Sequence, residues 1–318
     1  MMSRLSAVCG LCLAGFLSWA QAQPALKVTP IRVAAHSYYV QGETGTPSAA
    51  NRGHTSNAGF VITREGVVVF DALGTPALGQ ALIDAIRSLT PAPIRRVVVS
   101  HYHADHIYGL QAFKAIGAEI WAQRGAAEYI GSEVAQRRLA ERRETLPRWF
   151  DASTQLVEPD RWLDGDASFE LGGLHFRLTH VGPAHTAEDL IMEVKEDDVA
   201  FVGDVIFAGR LPFVGDADSK AWIAAIERIL AAQPKILVTG HGAASKSAGG
   251  DLGLTRDYLL FLRKSMGEAV RDFMSFEEAF ANTDWSRFSA LPAFREANRI
   301  NAYGTYLLME REALGRKP

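Results

Sequence analysis

The sequence predicts an α/β fold made of two successive β-rich halves, each covered by helices. Three observations carry that reading. Short apolar runs, such as residues 67–70 and 97–99, alternate with stretches of helical periodicity, such as residues 75–89. A strand, a helix and a returning strand imply a right-handed crossover with parallel pairing. Polar residues able to bind a metal then follow the ends of the apolar runs one after another, and sites in α/β folds gather beyond the carboxyl ends of strands.

Residues 1–22 carry one charged side chain, Arg4, followed by an apolar core over residues 5–16 and the small-residue pattern Ala20-Gln21-Ala22. This is the layout of a secretory signal peptide cleaved after Ala22. The apolar stretch is short for a span of about 20 residues, so no stable membrane anchor is expected. Both cysteines, Cys9 and Cys12, lie in this segment, which leaves the mature chain without a disulfide or a thiolate ligand. The expected location is the periplasm or outside the cell. Residues 23–318 are expected to form one domain, with a helical extension from about residue 251. A net charge of -3 and the absence of a basic run argue against nucleic acid or an anionic membrane as partner. A small-molecule substrate is the partner expected, and nothing in the sequence speaks to oligomeric state.

Residues 32–71 read as short strands and turns, with residues 60–62 and 67–70 joined as a hairpin by Arg64-Glu65-Gly66. Residues 41–59, rich in Gly, Ser, Thr and Asn, are either a surface loop or a flap over a site; His54 within them is a candidate substrate contact. Asp71 directly follows a strand, where a carboxylate caps a turn or braces a metal loop from behind. Leu78, Leu82, Ile83, Ile86 and Leu89 give residues 75–89 one apolar helical face. After the strand at 97–99 comes Ser100-His101-Tyr102-His103-Ala104-Asp105-His106, a loop whose side chains can converge on one point.

Residues 119–122 form a further strand, and residues 131–150 a charged helical stretch whose Arg137, Arg138, Arg142 and Arg143 read as a solvated face. Strands over residues 154–176 are broken by Gly165 and Gly172-Gly173. An alternating strand at 176–181 then ends in the turn Gly182-Pro183-Ala184-His185-Thr186. The apolar run 198–202 ends in Gly203-Asp204. A helix over 222–230 follows, capped by Asp218 or Ser219, and the last strand, 236–238, ends in Gly240-His241-Gly242. Residues 251–274 and 296–312 read as helices.

Three imidazoles and a carboxylate between His101 and His106 exceed what one four-coordinate zinc can use. Two adjacent metals account for them: His101, His103 and His185 hold one, Asp105, His106 and His241 the other, and Asp204 bridges both. His36, His54, His175 and His180 stay outside this set.

The ordered motifs, HxHxDH at His101 to His106, Gly-Pro-Ala-His at Gly182 to His185, Gly203-Asp204 and Gly240-His241, resemble the metallo-β-lactamase superfamily from about Arg32 to His241. The resemblance implies a four-layer αββα sandwich with a two-zinc hydrolase site at one edge. It also implies a bridging hydroxide that attacks a carbonyl in an ester, thioester or lactam-type amide, with Asp105 orienting it and Asp71 supporting the His101 loop. Asp204 stands where true β-lactamases carry cysteine or serine, and it resembles the arrangement of glyoxalase II-like thioesterases. The glyoxalase-type carboxyl-terminal Asn-Pro-Phe motif is missing, as is the insertion between Asp204 and His241 that marks nucleic-acid-processing members. Residues 205–212, Gly215-Asp216 and Trp222 resemble exported metallohydrolases of sulfur-oxidation and quinoprotein systems. Relatives of this fold that bind one non-haem iron make an iron sulfur dioxygenase an alternative. A periplasmic β-lactamase and a non-catalytic accessory protein are two more. Arg210, Tyr303 and Tyr306 are the remaining candidates for substrate contact.

Overall fold

The computed structural model describes residues 26–215, 217–246 and 252–316. The signal segment expected at residues 1–22 lies outside the described residues. The first sheet is laid down in chain order. Strands β1 (Ile31–Arg32), β2 (Ser37–Val40), β3 (Ala58–Ile62) and β4 (Val67–Phe70) pair antiparallel, the last two through the expected hairpin. Helix α1 (Pro76–Leu89) then crosses over. Its start is written locally: the Thr75 hydroxyl accepts the Leu78 N–H at 3.0 Å, and Pro76 occupies the first turn, where no N–H is missed.

The chain returns as β5 (Ile94–Val98), parallel to β4, and winds through the short helices α2 (Ala104–Ile107) and α3 (Leu110–Ala115) to β6 (Glu119–Gln123). Helices α4 (Ala126–Ile130) and α5 (Glu133–Thr145) precede β7 (Arg161–Leu163), which closes the seven-stranded sheet. In the second sheet β8 (Ala167–Leu171), β9 (Leu174–His180), β10 (Leu190–Val194) and β11 (Val199–Phe207) run antiparallel. Helix α6 (Ser219–Ala231) crosses to β12 (Ile236–His241), parallel to β11. Helices α7 (Gly253–Arg271), α8 (Phe276–Asn282) and α9 (Phe294–Ala313) complete the chain.

Three apolar cores separate four layers. Val61, Val68, Phe70 and Val98 of the first sheet meet Phe176, Leu178, Met192 and Phe201 of the second. Outside the first sheet, Leu78, Leu82 and Ile86 of α1 and Phe113 of α3 cover Val67, Val69 and Val97. Outside the second, Trp222, Ile226, Leu262 and Leu308 from α6, α7 and α9 cover Val202, Ile206 and Leu237. The arrangement is the αββα sandwich. The sheets touch closely at Gly59, where an added Cβ would stand 2.3 Å from the Phe201 ring, so Gly59→Ala costs about 1–3 kcal/mol by overpacking. Among the described residues no helix is long and apolar enough to cross a membrane.

One strand departs from expectation. Strand β11, the first of the parallel pair with β12, continues to Phe207 and every one of its nine residues is buried. Asp204 therefore lies inside β11 and not beyond its end. The register with β12 shifts on both sides of Gly203, whose φ of 51° suits glycine. An apolar run read on its own ends at the glycine, whereas the ladder to β12 resumes past it.

Candidate metal centre

The seven proposed ligands come from both sheets and meet at one edge of the sandwich. His101 leaves the end of β5, and the chain then closes a helical turn, with the His106 N–H donating to the His103 carbonyl at 3.0 Å. That turn folds Asp105 and His106 back beside His101 and His103. His185 sits in the turn between β9 and β10, which Asp189 shapes by accepting the Thr186 N–H and hydroxyl at 2.8 and 2.9 Å. The two sheets are tied here, since Leu190 N–H donates to the Ser100 carbonyl at 2.9 Å. Asp204 projects from β11, and His241 ends β12. Gly240 beside it leaves room for the carboxylate: a Cβ there would stand 2.0 Å from Asp204 Oδ1.

The ligand atoms of His101, His103, His185 and Asp204 lie within 4.8 Å of one another, and so do those of Asp105, His106 and His241. Asp204 touches both groups. Its Oδ1 is 3.2 Å from His106 Nε2; its Oδ2 is 3.2 Å from His241 Nε2, 3.5 Å from His185 Nε2 and 3.8 Å from His101 Nε2. His103 Nδ1 and His185 Nε2 face each other at 2.8 Å.

The surrounding hydrogen bonds select the tautomers a metal requires. Asp71 Oδ2 is 2.9 Å from His106 Nδ1 and accepts the Ser100 hydroxyl at 2.8 Å, while its Oδ1 accepts the Ser100 N–H at 2.7 Å. With its one proton committed to Asp71, the Ser100 oxygen accepts from His101 Nδ1 at 2.9 Å. Asp71 thus directs the protons of two imidazoles and leaves both Nε2 lone pairs facing inward. His241 Nδ1 does the same toward the Thr55 carbonyl at 2.7 Å. The Nε2 atoms of His101 and His106 and Oδ1 of Asp204 are buried without a hydrogen-bond partner. Inward lone pairs of imidazole and carboxylate at this spacing fit divalent metal ions.

Electrostatics agree with that fit. Burial, with His185 and Arg138 adding to it, pushes His103 down to about 3. Burial pushes His185 to about 4, so both rings are neutral and free to coordinate near pH 7. Burial opposes ionisation of Asp105, yet His106 and His241 hold it down to about 2. His106 is raised well above its ordinary value because Asp204, Asp71 and Asp105 outweigh its burial. The carboxylates call for positive charge at the point where metals would sit.

A cavity of about 220 Å³ opens over the ligands; Thr46, Pro47, Thr55, Phe207 and Phe213 contribute to its walls, as do Arg138, Arg142 and Arg210. It adjoins a groove of about 700 Å³ that shares His103, Arg138, His185 and Phe213. The stretch 41–59 is a wall of this site. Thr55 Oγ1 donates to Asp105 Oδ2 at 3.2 Å, the Ser56 hydroxyl donates to the Asp105 carbonyl, and Asn57 stitches the stretch to Thr239, Gly240 and Gly242.

Other sequence candidates are placed elsewhere. His54 is largely buried but does not line the cavity; its neighbour Thr55 does. Tyr303 packs edge-on against Phe276 and Tyr306 donates to the Met274 carbonyl at 2.8 Å, so both rings are spent on helix packing. Arg210 does line the cavity and is buried, with Nη1 3.1 Å from His241 Nδ1 and 3.3 Å from the Gly45 carbonyl. The arginines of α5 divide: Arg137 and Arg143 are exposed, whereas Arg138 and Arg142 are half-buried and face the cavity. The reading of all four as a solvated face is corrected on this point. Residues four apart share a helix face, and Leu139 of α5, with Leu146 just beyond it, packs on Ala104 and Tyr108, which turns that face to the site. Phe207 was missed as well. Its ring stacks on His241 at 5.0 Å and 6°, and meets His185 edge-on at 5.7 Å. Strict alternation puts it on the face opposite Asp204, three residues away, and it is the register shift between Gly203 and Phe207 that brings both to the site.

Residues 51–241 match the family model of the metallo-beta-lactamase superfamily. The chain belongs to that superfamily. Among its relatives, the Metallo-beta-lactamase type 2 of Elizabethkingia meningoseptica is 24% identical over 240 residues, covering 74% of this chain and 86% of the relative. A linear primary-alkylsulfatase of Pseudomonas sp. is 21% identical over 236 residues, 62% of this chain and 44% of that one. In three dimensions the chain is similar to the sec-alkylsulfatase Pisa1 from Pseudomonas sp., with a TM-score of 0.68 and 18% identity over 91% of this chain and 50% of the other. The chain carries a His/Asp cluster able to bind metal, and the relatives it matches are hydrolases of this superfamily.

Proposed function

We propose that the protein is an exported dinuclear zinc hydrolase that opens an ester, thioester or lactam-type amide. The observation that carries this reading is the pair of three-residue ligand groups sharing one carboxylate, Asp204. Structural zinc sites are closed by four protein ligands, whereas these groups border a cavity of substrate size. When bound, a pair of zinc ions supplies a hydroxide at neutral pH and polarises the scissile group.

The chain's own residues do the rest. His101, His103 and His185 hold one ion, Asp105, His106 and His241 the other, and Asp204 joins them. Asp71 and Ser100 keep the imidazole lone pairs directed inward, so no ring has to reorient during turnover. Asp105, steadied by Thr55 and Ser56, orients the attacking water. Pro47, Phe207 and Phe213 form apolar walls that thin the water around the reacting group.

Elemental analysis of protein taken from its native compartment tests the proposal, paired with turnover of a thioester and a chromogenic lactam. Two zincs per chain, with cleavage lost on chelation and restored by zinc, are expected. One iron per chain with oxygen uptake and no hydrolysis would overturn it. Strong lactam turnover would move the substrate to that arm of the proposal. Cell fractionation tests export, which rests on the leader-like residues 1–22.

A further inference from the structure

The cavity over the ligands holds more positive charge than the ligands need. Arg138 and Arg142 reach it from α5 and Arg210 from the segment after β11. Arg210 is only 7% exposed, and its Nε is buried without a hydrogen-bond partner. Among the described residues no carboxylate lies within ion-pair distance of any of the three. Other part-buried arginines do find acidic partners, as Arg96 does with Glu119 and Arg263 with Glu312. A buried guanidinium with no counter-charge is costly. Arg210 draws attraction over distance from Asp105, Asp204 and Glu296, and the first two are the carboxylates committed to metal in the reading above. Once those two are engaged, the three guanidinium groups face the cavity with no carboxylate at ion-pair distance among the described residues.

We infer that Arg138, Arg142 and Arg210 bind an oxyanion of the substrate, a sulfate, sulfonate or carboxylate group held beside the scissile bond. The inference rests on the hydrolase reading and names the substrate class within it: an anionic ester, thioester or amide, with neutral and cationic analogues disfavoured. The chemistry suits the residues. A planar guanidinium presents paired N–H donors that match the spacing of carboxylate and sulfate oxygens. The i, i+4 spacing puts Arg138 and Arg142 on one helix face, so they act together from one wall, while Arg210 stands with the Asp105 and His241 group. Apolar contacts at Phe213 and along the adjoining groove are left for the uncharged part of the substrate.

The test is calorimetric binding of hexanesulfonate, which cannot be hydrolysed, against neutral hexyl methyl sulfone of similar shape. It uses the full-length mature protein loaded with zinc, and the same protein after chelation. The variants are the double substitution Arg138→Ala/Arg142→Ala and its conservative counterpart Arg138→Lys/Arg142→Lys. Arg210 is left intact because its contact with His241 would confound the result. The wild-type protein is expected to prefer the sulfonate, and the alanine pair to weaken it by about tenfold or more with a flatter salt dependence. The lysine pair should recover part of the loss. Equal binding of sulfonate and sulfone by wild type overturns the inference, and so does sulfonate affinity unchanged in the alanine pair. Sulfonate binding that disappears on chelation yet ignores the alanine pair also overturns it, because the metals alone then hold the anion. Zinc content and neutral-ester cleavage, measured on the same samples, report separately on the hydrolase reading.

Discussion

In the group of Asp105, His106 and His241 each ligand is hydrogen-bonded from outside the group: Asp105 by Thr55, His106 by Asp71 and His241 by the Thr55 carbonyl. In the group of His101, His103 and His185 only His101 has such a bond, to Ser100; the other two face each other. His185 is held by rings, with Phe207 at 5.7 Å and Trp222 at 5.2 Å. One group is oriented by polar partners and the other by packing. Polar partners fix which nitrogen carries the proton; packing fixes only where the ring lies. Asp71 and Asp204 reach across this divide, Asp71 through Ser100 and Asp204 directly.

Substitutions that ignore the divide have the largest expected effects. Asp204→Asn removes the charge both groups share, so metal content should fall in both and hydrolysis should drop on the order of a thousandfold. Retention of two metals per chain by elemental analysis would show that Asp204 does not join the groups. Gly240→Ala drives a methyl into Asp204 Oδ1 and should lower stability by about 1–3 kcal/mol in urea unfolding. Unchanged stability together with unchanged metal content would mean that the carboxylate is free to swing aside.

Asp71→Asn is next. It weakens the acceptor for His106 and Ser100 together, so affinity for both metals should fall roughly 10- to 100-fold in competition with a chromogenic chelator. Loss at a single site would confine Asp71 to the His106 side. The smallest pair separates the groups. Ser100→Ala should weaken only the metal at His101, and Thr55→Val only the metal at Asp105, each by less than the Asp71 change, about tenfold or below. The Thr55 change keeps the backbone carbonyl that accepts from His241, so a Thr55 effect as large as that of Asp71 would show that the side chain does more than steady Asp105. Imidazole NMR resonances during metal titration would assign each loss to its group.

The seven residues that the structure gathers into two groups able to hold metal were legible because each stands close to the end of an apolar run, and a local motif states its own spacing. The same holds for Asp71, a carboxylate directly after β4 whose left-handed backbone, φ 64°, turns it back toward Ser100. The walls of the site were not legible in that way. Thr55, Ser56 and Asn57 are short polar residues in a loop, and nothing local distinguishes them from turn formers until the loop is laid against Asp105 and Gly240. His54, the more conspicuous neighbour, does not line the cavity. Tyr303 and Tyr306 lie on a helix long enough to reach the site, and the packing of α8 against α9 keeps both on that interface.

By itself the sequence determined most of the strands and helices in order, the loop position of His101 to His106 and the residues able to bind metal, but not β10, α8 or the helical turn of α2. What it did determine follows from periodicity or spacing within a few residues. Tertiary structure alone decided which face of α5 turns inward. That helix buries little of its own surface, only Ala135 and Leu139, so its periodicity carries no clear inward direction. Its rotation is set by the small cluster of Leu139, Leu146 and Phe150 on Ala104 and Tyr108. The continuation of β11 past Gly203 was decided the same way, by pairing with a strand more than thirty residues away in the chain. Contacts between distant segments carry no local signature, and in this protein they decide what charge the cavity presents to a substrate.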